Sequence, residues 1–387
     1  MSTAGIMRTC WVLDHPAHVR LLASFLKAGQ SNDVIIATQR REVEQMLEQG
    51  DGYIPRRQTH WVERPVGESR RKKALARWRS SHRFLRQCTE QGEPIQRIVS
   101  IGAPLELMAW KSPFLRRKIS SITERWYITD TEVNHIAHKL ALKSATDVVL
   151  PTHWNEGLDD GFSSNLDRVR LHRLDGLHGH VHLRPAQRPS AVSQPPRVLV
   201  RRLMGNGVHD SDELLDFPED MLDGLQITSA DEEHYTGDVW SLDRQLAAHD
   251  AVITQSVTLA SEAALLGTPT LLLSRAERGF LERLESEGHP LFRWKKECEG
   301  NEWKNLHAQF LTGIHLTDAL EPEEWPNARQ HLAELLVLVH RVAVRARNSL
   351  ALLEHLWGEC GESKLQDRLR VCVSRATGCR LCLWVNH

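Results

Sequence analysis

No apolar run in this 387-residue chain approaches the roughly 20 residues that a membrane-spanning helix needs; Leu332–Val339 is among the longest. The first ten residues lack a charged leader followed by an apolar core, so no secretory signal is expected and the expected compartment is the cytoplasm. Cysteine is sparse. There are seven, an odd number, and Cys10, Cys88 and Cys298 are scattered, which excludes a disulfide framework. The other four crowd the last 28 residues. Cys379 and Cys382 have C-x-x-C spacing without a matching second pair, so a poorly ordered tail is expected there in preference to a zinc site. An excess of one charge sign is also missing: 49 Lys and Arg stand against 50 Asp and Glu, a net charge of −1. That balance excludes a histone-like, whole-protein polyanion binder. No short internal repeat is visible.

What the chain does have is 41% hydrophobic and 26% charged residues, enough to bury cores in two or three domains. Short β-branched runs alternate with helical patterns. Cys10–Leu13, Val34–Thr38, Ile98–Ile101, Trp126–Thr129 and Val148–Leu150 read as buried strands. Between the first two, Val19, Leu22, Ala23 and Leu26 share one face of a helix over Ala17–Ala28, ended by Gly29. Four prolines in Pro185–Pro196 mark a linker. Beyond it, Val198–Val200, Leu225–Thr228, Ala251–Thr254 and Thr270–Leu273 read as strands of a second sheet, with helices at Leu242–Ala248 and Leu259–Leu266. Such alternation predicts an α/β protein of two Rossmann-like domains facing a central cleft. The expected domains are 1–185, a linker at 186–196, 197–325, a C-terminal helical segment at 326–358 and a Cys-rich tail at 359–387.

The most informative stretch is Ala251–Pro269, where a strand enters a short polar loop and a helix opens near Thr258. A helix N-terminus placed there suits a phosphate. Glu262, one turn in, is positioned to accept hydrogen bonds from two ribose hydroxyls, or else to complement the helix dipole at the surface. The run Glu-Ala-Ala-Leu-Leu-Gly-Thr-Pro at 262–269 resembles the donor-binding element of GT-B glycosyltransferases and sugar-nucleotide 2-epimerases. Together with Asp14-His15-Pro16-Ala17-His18-Val19, Asp130-Thr131-Glu132, Leu174-Asp175-Gly176-Leu177 and Val198-Leu199-Val200-Arg201, it resembles a GT-B-like family of unknown function related to both. The resemblance spans roughly residues 8 to 290. It implies a nucleotide-sugar donor held by Arg201, Ser256, Thr258 and Glu262, a catalytic loop of Asp14, His15 and His18, and an acceptor side or cleft formed by Asp130, Glu132 and His209. It implies no bound metal or other cofactor. The chain departs from the family at Thr254-Gln255-Ser256-Val257, where a glycine-rich loop is usual. That departure implies either a different phosphate cradle or a copy that binds without catalysis.

Each candidate has a plainer alternative. Asp14 is expected to cap the helix that Pro16 opens, leaving His15 or His18 as the general base. Arg201 either pairs with a diphosphate or is a solvated member of Arg201-Arg202. His178, His180 and His182 alternate and on a strand would share one face, a zinc-like pattern that chance explains better among 21 histidines. Finally, Arg56–Arg86 holds eleven Lys or Arg against Glu63 and Glu68, with Trp61, Trp78 and Phe84 interleaved. A segment of that kind suits peripheral contact with the inner face of a membrane. No nucleic-acid partner is expected, since no recognised module accompanies the run. The leading expectation is a glycosyltransferase acting on a glycan or lipid-linked acceptor. The alternatives are an epimerase or hydrolase on the same scaffold, or an inactive binding protein.

Overall fold

In a computed structural model, the described residues are 7–48, 54–63, 69–108, 122–184, 188–189, 191–203, 213–231, 237–316 and 326–336. Arg8–Arg329 form one compact unit that contains both sheets. Met1–Met7 and Gln330–His387 form another, of which residues 330–336 are helical. The expected Cys-rich tail and most of the expected C-terminal helical segment lie outside the described residues, as does His209.

The first sheet has seven parallel strands in the order β3-β2-β1-β4-β5-β6-β7. They are β1 Thr9–Leu13, β2 Val34–Thr38, β3 Gln58–Val62, β4 Arg97–Ile101, β5 Glu124–Ile128, β6 Asp147–Pro151 and β7 Arg170–Leu174. The central strands are buried end to end, as continuous β-branched runs require when helices cover both faces. The second sheet is parallel in the order β12-β11-β10-β8-β9. Its strands are β8 Arg197–Arg201, β9 Gln226–Ser229, β10 Ala251–Thr254, β11 Thr270–Leu273 and β12 Leu291–Trp294. This is the two-domain, GT-B-like α/β architecture. The sequence pattern missed β3, β7 and β12. β3 and β7 are partly exposed edge strands with broken apolar runs, and β12 carries a buried Arg293.

The helices used below are α1 Pro16–Ala28, α2 Arg41–Glu48, α3 Arg70–Gln91, α4 His135–Ala141, α5 His178–His182, α6 Leu242–Ala248, α7 Val257–Leu265, α8 Gly279–Ser286 and α9 Gly300–Leu316. α5 differs from the strand reading: the three alternating histidines lie on a short helix, where His178 and His182 share a face and His180 does not. Gly179 lets that helix approach α7 closely. A Cβ there would stand 2.5 Å from Leu265 Cδ1 of α7, so α5 and α7 touch at van der Waals distance only because the side chain is missing.

The basic segment 56–86 also resolves differently from a uniform surface run. Phe84 is buried in the first core, and Trp78 is half-buried and stacked on His82, so these rings are not membrane anchors. Arg77 points inward. Arg71, Lys72, Arg79 and Arg83 stay exposed around Leu75, itself 46% exposed. Among the described residues no helix is long and apolar enough to cross a membrane.

Candidate active site

Each sheet reverses strand order once, between β1 and β4 in the first and between β8 and β10 in the second. Ligands of open α/β sheets bind at such reversals, outside the carboxyl ends of the strands. The loop 14–18 leaves β1, Asp130 follows β5, Arg201 ends β8, and Ser256 follows β10. These ends border two adjoining cavities. The larger, about 170 Å³, is lined by His15, His18, Asp130, His178, His182 and Glu262, with Leu21, Ile101, Leu177 and Phe280 as apolar wall. The smaller, about 50 Å³, is lined by Arg20, Glu42, Arg201, Ser256, Thr258 and Glu262. The structure therefore brings together most of the expected site residues.

Their roles differ from expectation in several ways. The cap of α1 is His15: its Nδ1 accepts the Ala17 N–H at 3.2 Å. Asp14 is instead clamped by Arg77 at 2.6 and 2.9 Å and accepts from Thr38 Oγ1 at 2.8 Å. Burial alone would raise the Asp14 pKa; the Arg77 guanidinium outweighs it and holds the carboxyl below its usual range. The Asp14 N–H donates to His18 Nδ1 at 3.3 Å. Both loop histidines thus spend the Nδ1 lone pair on a backbone N–H, which leaves the proton of the neutral ring on Nε2. Burial keeps them neutral, His18 at about 4 and His15 well below its ordinary value. In this arrangement each ring presents an Nε2–H to its surroundings.

Another histidine of the cleft is held differently. His178 Nδ1 is 2.9 Å from Asp130 Oδ2. Its Nε2 is buried and has no hydrogen-bond partner among the described residues. Burial would raise the Asp130 pKa, but His178 outweighs it and lowers it strongly. With Nδ1 held by the Asp130 carboxylate, Nε2 is the ring nitrogen left for the cleft, the geometry from which an imidazole accepts a proton when it is neutral.

Glu262 is 1% exposed, which excludes the surface reading. Its two oxygens each accept from Arg20 Nη2 at 3.2 Å, and Oε1 also meets His182 Nε2 at 2.9 Å. His182 Nδ1 lies 3.0 Å from the His178 carbonyl, so both ring nitrogens face oxygen atoms. Burial would raise the Glu262 pKa, but Arg20 and His182 hold it at about 2. Ser256 caps α7, its Oγ accepting the Leu259 N–H at 3.3 Å. No residue of the 254–257 turn has a positive φ, so this backbone path does not require glycine. Gln255 bridges instead, accepting from Leu203 N at 2.9 Å and donating to the Leu215 carbonyl at 2.6 Å. Glu132 lines neither cavity. It is buried and accepts the N–H groups of Asn155 and Gly279, both at 3.1 Å, joining the two halves.

Arg20, Glu42, His178 and His182 were not singled out as site residues from the sequence. The i, i+4 spacing of His178 and His182 would have placed them together had the segment been read as helix. Arg20 and Glu42 carry no local signal.

These features define an α/β protein of two parallel sheets with a cleft lined by histidines, arginines and carboxylates. No protein-family model and no curated protein sequence matches the chain. Solved structures of similar fold include two UDP-GlcNAc 2-epimerases and a UDP complex. That of Methanocaldococcus jannaschii aligns at TM-score 0.55 and 10% identity, over 86% of this chain and 100% of its own. That of Neisseria meningitidis, bound to UDP-GlcNAc, gives 0.52 and 10% over 86% and 100%. The S. aureus protein MnaA, solved with UDP, gives 0.55 and 11% over 86% and 97%.

Proposed function

We propose that the cleft binds a nucleotide-diphosphate sugar and that the protein carries out acid–base chemistry on its sugar, as an epimerase or hydrolase. The carrying observation is the larger cavity. Its lining holds His178, whose Nδ1 is 2.9 Å from Asp130 and whose Nε2 has no hydrogen-bond partner among the described residues, together with His15 and His18. His178 Nε2, set by Asp130, takes a proton from the sugar; His15 and His18 offer Nε2–H groups to developing negative charge. The adjoining cavity, with Arg20, Arg201 and the first turn of α7, receives the diphosphate.

The test is incubation with a panel of nucleotide sugars in deuterated water without an acceptor. We expect deuterium in the sugar or a released nucleotide, and a loss of about 10²–10⁴-fold in His178→Gln. Absence of nucleotide binding by calorimetry across the panel would overturn the reading. Transfer to a glycan or lipid-linked acceptor is the competing reading, favoured by the exposed cationic face of α3 as a contact for anionic lipid. It requires turnover only when an acceptor is supplied, and co-sedimentation with phosphatidylglycerol vesicles that salt reverses.

A further inference from the structure

The ion pairs among the described residues differ in length. Those that brace the first sheet and its helices are short: Arg77 to Asp14 at 2.6 Å, Arg77 to Glu106 at 2.7 Å and Arg97 to Glu124 at 2.7 Å. Two that cross the cleft are longer, Arg20 to Glu262 at 3.2 Å and Arg201 to Glu42 at 3.3 Å, although these side chains are 13% exposed or less; the His182 contact to the same Glu262 is 2.9 Å. A guanidinium paired in its preferred fork sits about 2.7–2.9 Å from two carboxylate oxygens. Arg201 offers both Nη atoms to a single oxygen of Glu42, at 3.4 and 3.3 Å, and completes Nη1 on the Ala230 carbonyl at 3.1 Å. Its fork is therefore occupied but not matched.

Glu42 sits in the first turn of α2, on the first-sheet half, while Arg201 ends β8 in the second. Both line the smaller cavity beside Arg20, Ser256 and Thr258. The charged side chains there are Arg20, Arg201, Glu42 and Glu262, so its cations are already neutralised from within. A ligand gains from Arg201 only by bringing more negative charge than the carboxylate it replaces. A neutral sugar brings none, a monophosphate about 1.5–2 charges at neutral pH, and a diphosphate more still.

We infer that Glu42 is a specificity-determining residue, an internal carboxylate that holds Arg201 until the phosphates of a nucleoside diphosphate displace it. This rests on the reading that the cleft takes a nucleotide diphosphate. Removing the Glu42 charge then lets weaker anions in, and selectivity for diphosphate over monophosphate falls.

Calorimetry with UDP and UMP on the full chain tests this. We expect Glu42→Gln to bind UDP about tenfold more tightly than the wild type, and to gain more for UMP, so that the UDP-to-UMP ratio shrinks. Glu42→Asp, which keeps the charge but withdraws it by one methylene, should gain less. It also serves where Glu42→Gln does not fold. Arg201→Gln should weaken both ligands. Wild type that binds UDP with no gain in either Glu42 variant overturns the inference and leaves the functional reading standing. Absence of UDP binding in wild type and both variants overturns both.

Discussion

Arg77 is the residue through which a surface helix reaches the candidate site. One guanidinium serves Asp14 through two nitrogens and Glu106 through Nε, and Glu106 is fully buried. Ser81 Oγ adds a bond to the same Glu106 oxygen at 2.9 Å. Deleting one partner of a buried pair leaves the others charged and unsolvated, which costs about 3–5 kcal/mol. Arg77→Met is therefore expected to lower unfolding stability by about that amount, read from urea denaturation with an unchanged slope. Asp14→Asn in the same background should cost less than the sum of the two single changes, because the contact is already gone. The Asp14 backbone also sets the His18 tautomer, so Arg77→Met should redistribute His18 between its Nδ1–H and Nε2–H forms in nitrogen NMR.

At the scale of elements, α8 illustrates a polar joint between the halves. Its first N–H group, on Gly279, is satisfied by Glu132 from the other half. The approach is close: a Cβ on Gly279 would lie 2.6 Å from Glu132 Oε1 and 2.9 Å from the His153 carbonyl. Gly279→Ala must push backbone apart, and we expect a loss of about 1–3 kcal/mol by thermal or urea unfolding. The same change at Gly224, which has φ +75° but nothing within 4 Å of an added Cβ, would act through backbone strain alone.

For the whole molecule, buried histidines set the response to acid. His18, His138, His153 and His180 all have pKa values pushed down to about 4, by burial first. In the unfolded chain they titrate near 6.5, so between about 6.5 and 4 the unfolded state binds more protons and stability falls as pH drops. Glu262 acts lower. Its folded pKa of about 2 lies below the unfolded value, so its contribution is present above about 4.5 and lost as pH falls towards 2. We expect the unfolding midpoint to decline already between pH 7.5 and 5, before the carboxylates respond. A flat midpoint over that range would show that these rings are not neutral in the fold.

The sequence by itself determined the sheets. Runs such as Val34–Thr38 and Ala251–Thr254 are buried along their whole length, and only a parallel sheet covered on both faces accommodates that. It also determined where the chain passes the cleft, because the loop after β1 and the turn before α7 carry polar groups at the ends of apolar strands. The tertiary structure alone decided what those groups do. Asp14 is no cap because Arg77, 63 residues away, claims its carboxylate; Glu262 is no surface residue because Arg20, 242 residues away, and His182 enclose it. Tautomer and proton-acceptor assignments rest on a single donor or acceptor at about 3 Å, and no spacing rule in the chain encodes that neighbour. Local periodicity follows from backbone geometry, whereas the chemistry of a buried charge follows from whatever the fold sets against it.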